Sequence, residues 1–473
     1  MTSVPRLSIV MQSLLTDTAD NAAILSGFVQ RRSKLSGAVF VQTLVFGWLA
    51  NPQATLEQLT KITALRGVSI TPQGLDQRFT ERAAHLLLEV LNAAIQTLVC
   101  ADPVAAPLLE RFAGVYVHDS SILSLPHSPA LAACWPGCGN QHTHPQSTQA
   151  QHTPSANNAN AALKLQVRLE LSSGRLDGPH LQSGRVHDSR SPHQDVQHPL
   201  HSPLPVGALR IADMGFFSLS VLGHLDRKQV YWLTRVHGHT AVFDDQGQRW
   251  ELGSLLSEQA TQQHTEQLDL CVELGVTERL PCRLVAVKVP AQVAQQRRRK
   301  LRKDSKRRGH NLSAERLKQA DWNIFATNVP VEKLNVTEVL VLARSRWQIE
   351  LLFKLWKESG RIDEWRSQNP QRIMCEVYGK LLAMVIQHWL LLVSCWADMW
   401  GEGRSMVKAA GTIRQYTLCI AAQLGKTRGL SEAIHTMQRC IRAGTGCRIN
   451  KSKTKPPLYQ LLLDPTLALG ALA

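Results

Sequence analysis

The sequence predicts an α/β protein of several parts, helical at both ends and strand-rich in the middle. Three observations predict it. The chain has 473 residues, which at roughly 100 to 200 residues per domain gives about three domains. Its hydrophobic fraction of 44% and charged fraction of 19% match soluble globular proteins and exclude wholesale disorder or collagen-like repetition. The apolar period switches from helical to strand-like after Gly114 and returns to helical near Val331. A fourth quantity bears on partners. Lys plus Arg is 53 against 37 Asp plus Glu, a formal charge of +16, so a polyanion, and nucleic acid first, is the expected partner.

In the first hundred residues, Thr55 to Ile62 carries apolar residues at helical spacing. Arg66-Gly67 reads as a stop, and Thr71-Pro72 as an N-cap and first-turn proline opening a second helix. The pattern suits either a DNA-reading helix-turn-helix exposing Gln73, Gln77 and Arg78, or a plain helical bundle. From Gly114, the runs GVYVHDS, LKLQVRLEL, LRIADMGFF and VYWLTRVHG read as strands. Residues 127 to 160 and 180 to 203, rich in His, Gln, Ser and Pro, read as loops. Cys134 and Cys138 in CWPGC suggest zinc only weakly, because no second cysteine pair lies at ligand spacing. Residues 240 to 292 alternate in strand fashion and WNIFATNVP adds another strand. Between them, nine of the twelve residues from Arg297 to Arg308 are basic; such a run is a phosphate-tracking surface or a solvated helix face. Helices are expected from near Val331 to about residue 442. Leu381 to Trp400 is apolar over nearly a membrane width, but Gln387, His388 and Asp398 interrupt it, so a buried helix and no membrane partner is the expectation. Ten cysteines in no regular framework, behind an N-terminus without an export pattern, suggest reduced thiols and a cytoplasmic protein.

The chemistry concentrates in three acids. On a helical wheel centred on Glu350, Arg346 falls at about −40°, Lys354 at about +40° and Lys357 at about −20°, one charged stripe opposite Ile349, Leu351, Leu352, Leu355 and Trp356. Alone, the stripe could be salt-bridged solvent-facing helix, with Arg346–Glu350 and Glu350–Lys354 pairs. Asp119 and Asp213 are each expected at the end of an apolar strand, where a mixed α/β sheet commonly builds a site, although a strand-end Asp can also cap a turn. Two strand-borne Asp residues and a helix-borne Glu can hold two divalent ions for phosphodiester chemistry. Oxygen donors favour Mg2+ or Mn2+ over zinc. Asp188 in GRVHDS is the rival for the second acid, but its neighbours are polar and turn-like.

Asp119 in VHDS, Asp213 in IADMGFF, RWQIELLFKLWK (Arg346 to Lys357) and TNVP (Thr327 to Pro330) together resemble the transposases of the insertion sequence four family, bacterial DDE enzymes. The resemblance runs from about Gly114 to residue 395. That family carries a Tyr-x2-Arg-x3-Glu-x6-Lys signature; its last three members match Arg346, Glu350 and Lys357, and Ala343 stands at the Tyr position. The resemblance implies a ribonuclease-H-like catalytic core with a β-rich insertion between Asp213 and Glu350. It implies Asp119, Asp213 and Glu350 as ligands of two Mg2+ or Mn2+ ions, and Arg346 and Lys357 as phosphate-holding residues. Relatives also place a basic residue near DNA, here Arg235 after VYWLT, and stack a Trp on a flipped base, for which Trp322 is the nearest candidate.

The expected organisation is a helical N-terminal DNA-binding domain (1–105), the first part of the core (106–240), a β-rich insertion with the basic segment (241–328), the Glu helix and end of the core (329–400), and a helical C-terminal region with a basic tail (401–473). The expected DNA-binding residues are Arg346, Lys354, Lys357, Arg235, Trp322, Arg297, Arg298, Arg299 and Lys300. The expected reaction is metal-dependent cleavage at the element's terminal inverted repeats and strand transfer into target DNA, by cut-and-paste and by a homodimer. The alternatives are an endonuclease or recombinase on the same core without strand transfer, or an inactive DNA-binding descendant.

Overall fold

The computed structural model describes residues 2–31, 34–137, 161–190, 201–309, 311–401, 405–444 and 458–468. Among them, ten strands form a single mixed sheet. These are β1 (Val115–Leu125), β2 (Ala161–Glu170), β3 (Leu176–Ser183), β4 (Leu209–Ala212), β5 (Tyr231–Arg235), β6 (Val242–Phe243), β7 (Arg249–Trp250), β8 (Gln267–Leu274), β9 (Leu280–Lys288) and β10 (Trp322–Thr327), in the order β3-β2-β1-β4-β5-β10-β9-β8-β6-β7. β1 is antiparallel to β2 and β2 to β3, whereas β1, β4 and β5 run parallel. The strand-rich segment after β5 therefore extends the same sheet, because β10 joins β5 antiparallel and β9 joins β10.

Three expectations on the strands need correction. Within residues 240 to 292, read as strand, Leu252–Gln262 is a helix. β1 does not stop at Asp119 but runs to Leu125, because Ile122, Leu123 and Leu125 continue the β pattern. His180 to Ser183, read as loop, form the end of β3, paired through register with β2 at Leu163 to Gln166.

β2 is buried on both faces, with opposite chemistry. Successive side chains point to opposite sides of a strand. Leu163, Leu165, Val167 and Leu169 join the main apolar core, while Lys164, Gln166, Arg168 and Glu170 form a buried polar face. A buried polar face is tolerable only when its groups find partners. Here Lys164 pairs with Asp188, Arg168 with Asp177, and Glu170 accepts from Ser172 and Ser173.

The main core unites the N-terminal helices, the apolar face of β1 and β2, and the helices after residue 336. Its axis is the helix Pro370–Gly401. The stretch Pro370–Trp396 is long and apolar enough to cross a membrane by composition, but 94% of its apolar window is buried within the protein. It is a core helix: Lys380 Nζ donates to the Glu364 carbonyl at 2.6 Å, and His388 Nε2 lies 2.8 Å from the Gly174 carbonyl. The N-terminal helix Gly37–Ala50 packs so closely on it that a Cβ at Gly379 would lie 2.3 Å from the Trp48 ring. A second apolar cluster, with Trp232, Val242, Leu256, Leu284 and Trp322, fills the region of β6 to β10.

The early helices follow their caps. Thr55 and Gln58 form a capping box for Leu56–Leu65, and Thr71 caps Pro72–Asp76. The second helix is a single turn of five residues, with Asp76 paired to Arg372 at 2.8 Å. The helical run expected from Val331 begins at Val336, where Asn335 and Glu338 make another capping box. It breaks at Arg346 between Val336–Ser345 and Trp347–Glu358, so Ala343 and Glu350 occupy different helices.

Candidate active site

Parallel pairing brings the first two acids together. β4 lies on β1 with Val117 opposite Ile211 and His118 opposite Ala212. The next step of that register sets Asp119, in mid-strand, beside Asp213, where β4 ends. Asp213 opens the short turn Met214–Phe216, yet its side chain makes no capping hydrogen bond to it. The capping role that a strand-end Asp could fill is thus not used. Glu350 approaches from the helix Trp347–Glu358 through one guanidinium. Arg346 donates from Nη1 to Asp119 Oδ2 at 3.2 Å and from Nη2 to Glu350 Oε1.

Asp119 feels the charges of the other two acids. Asp119 is pushed from its ordinary 3.8 to about 6, chiefly by burial, with the negative charges of Asp213 and Glu350 adding to the rise; the Ser120 amide, 2.8 Å from Oδ1, and Arg346 oppose it. Like charges gathered in a half-buried place need a cation, and Arg346 supplies that charge for Asp119 and Glu350. The wall beside Asp213 is a cavity of about 790 Å³ lined by Asp213, Thr234, Arg235, Ala343, Arg344, Arg346, Trp347 and Leu458, among others. Three guanidinium-bearing residues and an acid thus border one groove.

Asp188 is occupied elsewhere. It accepts from Ser120 Oγ at 2.8 Å and pairs with Lys164 Nζ at 2.8 Å. Ser120 and Lys164 project from the face of the sheet opposite to Asp119. This geometry favours Asp213 as the second acid.

The remaining expected site residues divide. Arg235 is exposed at the end of β5, packs 5.8 Å from the Phe325 ring centroid and lines the groove. Lys357 is held against β1, donating to the Ile122 carbonyl at 3.1 Å. Lys354 lies 3.7 Å from Glu358, both exposed, rather than beside Glu350. Trp322 is a correction: it is 5% exposed in the second apolar cluster, so its ring serves packing. The basic run is the helix Ala291–Arg308, and its cations face two ways. Arg297 donates to the Trp322 carbonyl at 3.0 Å and to Asn323 Oδ1 at 2.7 Å, and Arg298 pairs with Asp321. Arg299 and Lys300, with Arg302 and Lys303, are exposed. Cys138 lies outside the described residues, and Cys134 is an exposed free thiol.

Sequence reasoning missed Arg344 and Trp347. Trp347 is 56% exposed beside Arg346 and lines the groove. The wheel held the signal, since Trp347 falls at about +60° from Glu350, next to the charged stripe.

Comparison with known proteins agrees with the motifs. The chain is 25% identical over 377 residues to the transposase for insertion sequence element IS231F of Bacillus thuringiensis subsp. israelensis, covering 76% of this chain and 74% of that protein. It is 23% identical over 418 residues to the transposase for insertion sequence element IS1151 of Clostridium perfringens, covering 83% and 82%. Over a shorter stretch of 103 residues it is 32% identical to the putative transposase InsL for insertion sequence element IS186A of Escherichia coli (strain K12), covering 22% of this chain and 28% of that protein. Residues 110–386 match the family described as transposase DDE domain. That span holds both Asp strands, the Glu350 helix and most of the core helix behind them, and with more than half of its length matched the chain belongs to the family of DDE-domain transposases.

Proposed function

We propose that the chain cuts DNA at the ends of an insertion element and joins those ends to target DNA, with Asp119, Asp213 and Glu350 as its catalytic acids. The observation that carries this reading is the convergence of the three carboxylates, by the Arg346 bridge between Asp119 and Glu350 and by the register of β4 on β1 that brings Asp213 beside Asp119. The strand order β3-β2-β1-β4-β5, with β1 antiparallel to β2 and parallel to β4, supports a ribonuclease-H-like core, the first acid on its central strand. The printed names of the relatives support an insertion element as the DNA.

The acids fit hard divalent ions. They offer carboxylate oxygens only, they repel one another, and a guanidinium already balances two of them. Asp119, Asp213 and Glu350 would hold two Mg2+ or Mn2+ ions, which supply charge for ionising the attacking hydroxyl and stabilising the leaving oxygen. Arg346, which bridges two of these acids, would also suit a phosphate of the DNA, as guanidinium forks do. Arg235 and Arg344 line the groove along which the strand lies, and Lys357 anchors the Glu350 helix to β1 within reach of a neighbouring phosphate. Trp347, exposed at the groove, takes the base-stacking role. Arg299, Lys300, Arg302 and Lys303 form an outward cationic face that tracks duplex phosphates. The N-terminal helices (1–105) add DNA contacts, and two chains pair two ends.

The test is an in vitro reaction with a labelled duplex ending in the inverted repeat that flanks the gene, a target plasmid and Mg2+. Cleavage at the repeat followed by label joined to the plasmid is expected. Cleavage without joining would favour the endonuclease reading, and neither product, with binding retained, the inactive descendant.

A further inference from the structure

On the opposite face of the sheet from Asp119 lies a second cluster, built from β3 and the segment after it. Asp177, His180 and His201 bring their ligand atoms within 4.8 Å of one another. His180 Nε2 is 2.8 Å and His201 Nδ1 3.3 Å from the same oxygen, Asp177 Oδ1. His201 is 4% exposed; its Nδ1 meets the Asp177 carboxylate, and its Nε2 has no hydrogen-bond partner among the described residues. A buried imidazole whose one contact is a carboxylate shared with a second imidazole is costly unless something else binds the group.

We propose that Asp177, His180 and His201 form a zinc-binding site distinct from the catalytic acids. Zinc holds His nitrogen and Asp oxygen at about 2.0–2.2 Å in a tetrahedron, whose ligands then stand about 3.3 Å apart. The two His–Asp separations, 2.8 and 3.3 Å, lie close to that edge. The outer shell is in place too. Arg168 Nη2 at 2.7 Å and the Ser202 amide at 3.0 Å both donate to the other oxygen, Asp177 Oδ2, fixing the carboxylate and leaving Oδ1 for the ion. Nitrogen donors select zinc over the Mg2+ expected at an all-oxygen site. Arg168 and, through His118, Arg210 are the cations facing the cluster; they weaken the site without blocking Oδ1. The His118 ring stands edge-on to His201 at 4.7 Å between centroids. The ion therefore pins the chain at residue 201 to the back of β1, one residue from Asp119.

The full chain, purified without a histidine tag and dialysed against zinc and then against excess Mg2+, should retain one zinc per chain by elemental analysis. Added Zn2+ should raise its melting temperature. His201→Asn and His180→Asn should each weaken zinc binding at least roughly 100-fold, while Asp119→Ala and Glu350→Ala keep it, which separates this site from the catalytic one. Co2+ should give the visible absorption of a four-coordinate site, lost in His201→Asn. A wild-type chain that retains no zinc and melts at the same temperature with and without Zn2+ overturns the proposal even if a variant fails to fold. So does zinc retained undiminished in both His variants, because it would then belong to other histidines among the 18 in the chain.

Discussion

Asp119 sets a pH dependence that can be worked from its surroundings. Burial and the neighbouring acids lift its carboxyl from 3.8 to about 6, a difference of about 3 kcal/mol. The folded protein thus holds that proton more tightly than the unfolded chain does. The resulting stabilisation is full below about pH 4 and is lost as pH rises through about 6, so the ion-free protein should weaken by up to about 3 kcal/mol across that window. A divalent ion must displace the same proton. With a pKa of about 6, Mn2+ affinity should fall about fourfold between pH 7.5 and 5.5 and about tenfold by pH 5. Titration calorimetry across that range reads the slope, and Asp119→Asn should flatten it. Arg346→Gln should move its midpoint upward, because the guanidinium 3.2 Å from Oδ2 favours the ionised form. Affinity that stays level to pH 5, or a midpoint near 4, would refute the burial that lifts Asp119 and its place among the ligands of the ion.

Replacing Arg299, Lys300, Arg302 and Lys303 by Ala should lower the slope of log affinity against log salt on duplex DNA by more than one, at about 0.9 per phosphate contact. Replacing Arg297 and Arg298 should leave the slope nearly unchanged and lower the melting temperature instead, because both are bonded to the Trp322–Asn323 region and Asp321. Trp322→Ala should destabilise the fold by about 3–5 kcal/mol in denaturant unfolding, whereas Trp347→Ala, at an exposed position, should spare stability and weaken binding of element ends by about 1–3 kcal/mol. Ala343→Tyr should leave the melting temperature within a few degrees, since position 343 borders a cavity of about 790 Å³; severe unfolding would mean that the space is not open to a ring.

The acids and the stripe around Glu350 were legible because strand alternation and the helical wheel act locally. The polar pair Ser120-Ser121 makes Asp119 look like a strand end, although the pattern continues through Ile122, Leu123 and Leu125. The break at Arg346 is one residue wide, carries no proline or glycine and keeps a helical backbone, so no local signal marks it. Net charge announced the basic helix, but which of its cations turn inward depends on Asp321 and Asn323, across a chain reversal. The same holds for the two tryptophans: residue type alone does not separate a packed Trp322 from an exposed Trp347. The zinc cluster was least legible. Asp177 and His180 share β3, whereas His201 enters from outside any strand, and only folding makes them neighbours.

The most direct test of the account compares four single variants, Asp119→Ala, Asp213→Ala, Glu350→Ala and Asp188→Ala, in one Mg2+-dependent cleavage assay on an element-end duplex, with binding measured in parallel. The account predicts that the first three abolish cleavage and keep binding nearly intact, and that Asp188→Ala, which loses the Lys164 and Ser120 contacts behind the sheet, still cleaves. Cleavage that survives Asp213→Ala and disappears with Asp188→Ala would contradict it.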